Sequence, residues 1–140
     1  MKWVTREKAR VDRIACPWLI SRFIDKTPTF LFVPADQVVE VAQREGVTPY
    51  DIPNVELGQP GEHCSFDAFR DKYKLKDPAF QALALIVRGA DTSARQLTPE
   101  SSELYALATG FQAMAKDHDN MAKQFPAYDA LYAFCQAQTK

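Results

Sequence analysis

The chain has 140 residues, of which 46% are hydrophobic and 25% charged, and its formal net charge is −1. A chain of that size buries roughly two-thirds of its unfolded surface and needs no disulfide or metal staple to fold; its composition is globular rather than disordered. The balanced charge argues against a domain-wide grip on nucleic acid, which needs a basic face. The N-terminus, MKWVTREKARVDR, has no apolar leader stretch, and no apolar run reaches membrane-spanning length.

Lys2-Trp3-Val4-Thr5 alternates as a short first strand. Ile14, Trp18, Leu19, Ile20, Phe23 and Ile24 have helical spacing, and Pro17 suits a first helical turn. A helix is therefore predicted over about 16–25, with Asp12 and Arg13 in the turn before it. Thr29 to Val33 is an apolar strand run between Pro28 and Pro34. Pro34 to Glu45 carries an apolar face of Val38, Val39, Val41 and Ala42 and stops at Gly46, as a helix does.

From Val47 to His63 the chain is rich in Pro and Gly. Two short extended pieces are expected there, near 47–50 and 55–57. A loop of that length in a compact domain is more often functional than idle. Helices follow: from Cys64 or Ser65 to about Tyr73, from the Asp77-Pro78 cap to about Ala90, and from Thr98-Pro99-Glu100 to about Lys116. The third of these carries a stripe of Leu104, Leu107, Ala108, Phe111 and Met114. A last helix spans about 119–137, and Pro126 should kink or split it. The expected class is α+β, with a small mixed sheet near the N-terminal half, covered by helices, and an all-helical C-terminal half. The chain reads as one domain, 1–140.

Chemistry concentrates in a few places. Cys16 stands at a predicted helix N-terminus beside Asp12 and Arg13, where the helix dipole and a guanidinium favour thiolate. Arg6, Arg10 and Arg13 offer forked N–H donors to an oxyanion. A structural reading makes Asp12 and Arg13 a cap and a pair, and Cys16 a small buried hydrophobe. In the loop Gly58 to Asp67, the residues His63, Cys64 and Asp67 bring three ligand types within five positions. That is too few for a closed metal site, and a helix N-terminus explains Asp67 equally well. Arg88 and Asp91 end a predicted helix; Arg88 suits the C-terminal dipole, while Asp91 is placed to reach the loop at 58–64. Lys116 to Asn120, with His118, reads as a polar interhelical loop whose Asp caps the next helix. Tyr128 to Tyr132 reads as a helical packing stripe with a hydroxyl partner. The cysteines, Cys16, Cys64 and Cys135, are odd in number and form no CxxC, which fits free thiols in the cytoplasm.

The run Thr5-Arg6-Glu7-Lys8-Ala9-Arg10-Val11-Asp12-Arg13-Ile14-Ala15-Cys16-Pro17-Trp18 resembles the opening of the chromate-resistance (ChrB-type) domain family. So do Phe30 to Pro34, the Gly61 to Asp67 turn, Ile86-Val87-Arg88 with Ala90-Asp91, and Tyr128 to Tyr132, in matching order from about residue 3 to 135. Members of this family are associated with chromate resistance and with regulating chromate-efflux genes, as parts of longer regulators, fused to rhodanese-like domains, or alone. The resemblance implies a lone domain without the region that a regulator uses for DNA, so direct DNA binding by this chain alone is not expected. It also implies ligand-sensing positions at Arg6, Arg13 and the polar loop 59–63. Where many relatives carry His after the Gly, this chain has Gln59, which leaves the loop's ligand chemistry weakened or moved to His63.

The leading expectation is a stand-alone chromate-response domain that binds a small oxyanion such as chromate, or one divalent metal ion (Fe, Mn or Zn), in a polar pocket. The ligand-binding candidates are Arg6, Asp12, Arg13, Gln59 and Arg88; the metal candidates are His63, Asp67 and Asp91. A second expectation is a metal- or thiol-dependent redox or sulfur-transfer enzyme linked to oxidative stress, with Cys16 and Cys64 as catalytic thiols. A third is a domain that docks on a rhodanese-like or regulatory partner. A homodimer is open, and no membrane association is expected.

Overall fold

The fold is described from a computed structural model, over residues 1–58 and 64–140. The first strand, β1 (Lys2–Arg6), lies between β2 (Thr29–Val33) and β3 (Thr48–Pro49) in the order β2-β1-β3. Trp3 pairs with Phe30 on one side and with Thr48 on the other. Both pairings run parallel, so the small sheet expected as mixed is one parallel sheet of three strands. Parallel neighbours need crossover connections. The first crossover is α1 (Asp12–Leu19) with a π-helical turn at Ile20–Ile24; the second is a 3₁₀ turn at Ala35–Gln37 with α2 (Val38–Glu45).

The alternation of β1 separates two cores. Trp3 joins the main core with Ile14, Trp18, Phe66, Phe69, Leu83 and Tyr128. Val4, its neighbour, joins Val38, Val41, Val47 and Ile52 beneath α2. Successive strand residues point to opposite faces, so one dipeptide seats both layers. α2 ends at Gly46, whose φ of 65° is the left-handed cap that the Gly was expected to supply.

Four helices complete the chain: α3 (Ser65–Lys72), α4 (Pro78–Asp91), α5 (Ser101–Met114) and α6 (Asp117–Gln138). The Asp77 carboxylate accepts from the Ala79 amide at 2.9 Å, as the Asp-Pro signature requires. No described helix is long and apolar enough to cross a membrane.

Four local expectations need correction. α1 begins at Asp12, not near 16, because the Asp12 amide finds a tertiary acceptor in Asp91 Oδ1 at 3.3 Å and so can enter the helix satisfied. Pro17 therefore sits inside α1, and the π turn follows it directly. Residues 55–57 form turns rather than a strand. α6 runs unbroken through Pro126, which is exposed together with Ala122, the residue whose carbonyl loses its helical partner, so water can take that carbonyl. On α5, Leu104 and Ala108 are buried, but Leu107 and Met114 are 53% and 73% exposed, so the apolar stripe is wider than the face that packs.

α4 and α5 touch at a glycine. A Cβ on Gly89 would lie 2.7 Å from the Cβ of Ser101 and closer still to its hydroxyl oxygen. Ser101 cannot retreat: it is fully buried and its hydroxyl donates to Ile86 O at 3.1 Å. Gly89→Ala is expected to cost about 1–3 kcal/mol by overpacking, read as a lowered midpoint in urea denaturation; an unchanged midpoint would show that the two helices part freely.

Candidate functional site

Asp12 opens α1 and is 1% exposed. Its Oδ2 accepts the Ser65 amide at 2.6 Å, and its Oδ1 accepts the Phe66 amide at 3.2 Å and the Cys16 thiol at 3.3 Å. The first amides of α3 thus close on a carboxylate that is distant in sequence. The α3 N-terminus has an internal partner as well: Asp67 accepts the Cys64 amide at 3.1 Å and the Cys64 thiol at 3.5 Å. Helix N-termini favour such anionic partners.

Two further carboxylates approach Asp12. Oxygens of Asp12, Asp51 and Asp91 lie within 4.8 Å of one another. Asp51 is 2% exposed and follows β3 with φ at 53°, the left-handed region that Asp tolerates better than most residues. Asp91, the last residue of α4, is exposed, but one oxygen of its carboxylate accepts the Asp12 amide. Guanidiniums flank the group. Arg6 and Arg13 approach Asp51 Oδ2 at 3.6 and 3.7 Å, and Arg6 also donates to the Asp51 carbonyl at 3.1 Å. Beyond α3's first turn, Arg88 and Arg70 reach Asp67 Oδ1 at 3.2 and 3.4 Å.

The electrostatics follow from burial and crowding. Burial, and then repulsion from Asp51 and Asp91, hold the Asp12 carboxyl well above the ordinary carboxylate range. Burial and Asp51 push Asp91 up to about 6. Burial, and then the Asp12 and Asp51 carboxylates, push the Cys16 thiol up, and burial and Asp12 do the same to Cys64. The thiolate expected at Cys16 rested on a helix N-terminus, which lies four residues earlier, at Asp12. Cys16 and Cys64 are both buried, and the thiol of each donates to a carboxylate, Asp12 and Asp67 respectively.

The site therefore gathers Arg6, Asp12, Arg13 and Asp91, with Cys16 against Asp12, and sets the Cys64–Asp67–Arg88 group at the adjoining helix end. Gln59 and His63 lie outside the described residues. Arg10 goes elsewhere, with its guanidinium 5.5 Å from the Tyr105 ring centroid. The sequence reading missed Asp51 and Tyr50. The signal for them was the Pro-bounded run Pro49-Tyr50-Asp51-Ile52-Pro53, where a polar pair follows a strand inside the long loop. The segment around His118 is the first turn of α6 rather than a loop, and no side chain among the described residues caps that helix; it serves docking instead: Asp117 accepts the Lys8 and Ala9 amides at 3.0 and 2.6 Å, Asn120 donates to Ala9 O at 3.0 Å, and His118 Nε2 lies 2.8 Å from Phe30 O. Tyr128 donates to Val11 O at 3.3 Å, the hydroxyl partner that the packing stripe called for.

Fold and site together define an α+β domain whose helices meet over a buried acid–arginine cluster. The family model for the ChrB C-terminal domain matches residues 3–135, and the chain belongs to that family. It is similar to Protein ChrB of Cupriavidus metallidurans, at 26% identity over 99% of this chain and 42% of that protein. The chain thus spans less than half the length of this curated relative. No solved structure matches it.

Because Asp91 is held near 6 against an ordinary 3.8, the folded state keeps a proton there that the unfolded chain has already released. That favours folding below about pH 4 and is lost as pH rises through about 6. Asp91→Asn is therefore expected to be more stable than wild type at pH 7 to 8 in chelating buffer, with the difference shrinking toward pH 4. Thermal melts across that range check it; a deficit that does not vary with pH would contradict it.

Proposed function

We propose that this chain, as one ChrB-type domain, is a chromate-response domain that reads small inorganic ions through the acid–arginine cluster. One observation carries the reading: charged side chains from four separate elements converge on one point, and two of the three central carboxylates there are almost fully buried. Capping α3 uses Asp12 and Asp67 and needs neither Asp51 nor Asp91. Crowding Asp51 and Asp91 against it costs folding stability, and such a cost is characteristically retained where a ligand repays it.

The arginines bear on the sign of the ligand. Arg6 and Arg13 each face Asp51 through a terminal nitrogen, while the Nε of each is buried without an acceptor among the described residues. The three crowded carboxylates favour a positive ligand, and the unused Nε donors suit an anion that arrives together with one. A thiol-based redox enzyme fits less well, since burial holds both Cys16 and Cys64 protonated.

The test is chromate tolerance in a sensitive host that expresses the chain. Wild type should raise tolerance, and Asp51→Asn and Arg13→Ala should abolish the gain at equal protein level. Variants as protective as wild type would sink the proposal. Calorimetric titration with chromate, sulfate and phosphate then separates the oxyanion version, which requires heat from wild type that Arg13→Ala removes.

A second reading has its own observation. A groove of about 480 Å³ lies between α5 and α6, lined by Leu104, Leu107, Phe111, Leu131 and Phe134. An apolar groove of that kind supports docking on a regulatory or rhodanese-like partner. Leu107→Asp should then lose the tolerance gain while leaving the thermal midpoint close to wild type; retained tolerance would remove this reading.

A further inference from the structure

We propose that Asp12, Asp51 and Asp91, with the Tyr50 hydroxyl beside them, form a binding site for a single hard divalent cation of the Mn²⁺ or Mg²⁺ class. The proposal takes the acid–arginine cluster as the ligand site and adds the identity of the ligand. It also differs from the set expected from the sequence, in which Asp91 was grouped with His63 and Asp67.

The geometry comes first. Oxygens bound to one small divalent ion at about 2.1 Å lie roughly 3 to 4.2 Å apart. Carboxylate oxygens of the three aspartates already lie within 4.8 Å of one another. A contraction of well under about 1 Å per side chain brings them to bonding distance. Asp91 is the movable member, because it ends α4 and is exposed, while Asp12 and Asp51 are held in buried positions.

Tyr50 is the independent observation. Its side chain is fully buried, yet its hydroxyl has no hydrogen-bond partner among the described residues. Tyr50 precedes Asp51 in the chain and packs in the same core as Cys16, whose thiol bonds Asp12; after burial, Cys16, Asp51 and Asp12 are the groups that act most strongly on its hydroxyl. A buried phenol without a partner is costly. Beside three carboxylates it is suited to hydrogen-bond an ion's water or an ion-bound carboxylate oxygen, the orienting contact that metal ligands commonly receive from their surroundings.

Donor chemistry selects the ion. An all-oxygen set suits hard cations, whereas zinc prefers Cys and His. The thiols of Cys16 and Cys64 are protonated and bonded to carboxylates, which does not favour a soft ion. Charge points the same way. The three carboxylates crowd one another, and burial together with that repulsion raises Asp12 and Asp91; a divalent ion between them relieves the repulsion.

The test is titration of the purified, metal-stripped full chain with Mn²⁺, followed by loss of the free-ion paramagnetic resonance signal. The expected result is saturable uptake of one ion per chain, with Mg²⁺ competing and an upward shift of the thermal midpoint. Asp91→Asn and Asp51→Asn should each weaken binding by at least the roughly tenfold that loss of an outer-shell partner costs. Tyr50→Phe should weaken it less, and His118→Ala should leave it unchanged. Asp12 also caps α3, so its replacement risks the fold; Asp91→Asn, checked by circular dichroism, keeps the test decisive. No uptake by folded wild type at millimolar Mn²⁺, or full affinity in both Asp91→Asn and Asp51→Asn, overturns the proposal. If Mn²⁺ binds as described while Asp51→Asn still confers chromate tolerance, the cation site stands and the chromate reading falls. If tolerance needs Asp51 but Mn²⁺ does not bind, the cation site falls and the pocket reading stands.

Discussion

The arrangement turns on one buried carboxylate. Asp12 accepts the two amides that open α3, and its own amide is taken by Asp91 at the end of α4. A single residue at the head of α1 therefore ties that helix to α3 and α4 through contacts that each span more than fifty residues. A buried carboxylate is expensive unless hydrogen bonds compensate it. Here the compensation comes from the helix N-terminus, and the same contacts set the position of every neighbouring charge.

Given that anchor, the other features follow as consequences. Closing α3 on Asp12 brings Cys64 and Asp67 to the same end of the molecule, and Asp67 then collects Arg70 and Arg88. The turn after β3 delivers Asp51 with a left-handed backbone, and β1 delivers Arg6 to it. The loop after β1 is held from the far side by Asp117 and Asn120 of α6, which fixes the approach to α1. The product is a polar cluster with strong internal opposition, built from elements that are otherwise well packed.

Much of this was legible in the residues. The Gly46 stop and the Asp77-Pro78 cap appear where local chemistry puts them, because each rests on contacts within a few positions, and the strand at Thr29–Val33 appears where its apolar run between prolines puts it. Asp12, Arg13, Arg88 and Asp91 stood out as chemistry-bearing, and the first two and Asp91 do meet. What could not be read was long-range. The start of α1 depends on an acceptor at Asp91, which no local signal reveals. Asp51 and Tyr50 gain their meaning only when the loop after β3 folds back on α1. Cys16 looked activated because a helix was expected to begin beside it; with the helix beginning at Asp12, the same thiol sits in the second turn, buried and neutral.

The central claim is that the three aspartates are a ligand site and not only a clasp between helices. Crystals of the full chain grown with Mn²⁺, measured for anomalous scattering at the manganese edge, address it most directly. The account predicts an anomalous peak within bonding distance of Asp12, Asp51 and Asp91, with the Tyr50 hydroxyl turned toward its coordination sphere. Well-diffracting crystals with no peak there, or with the ion held instead by residues around His118, would contradict it.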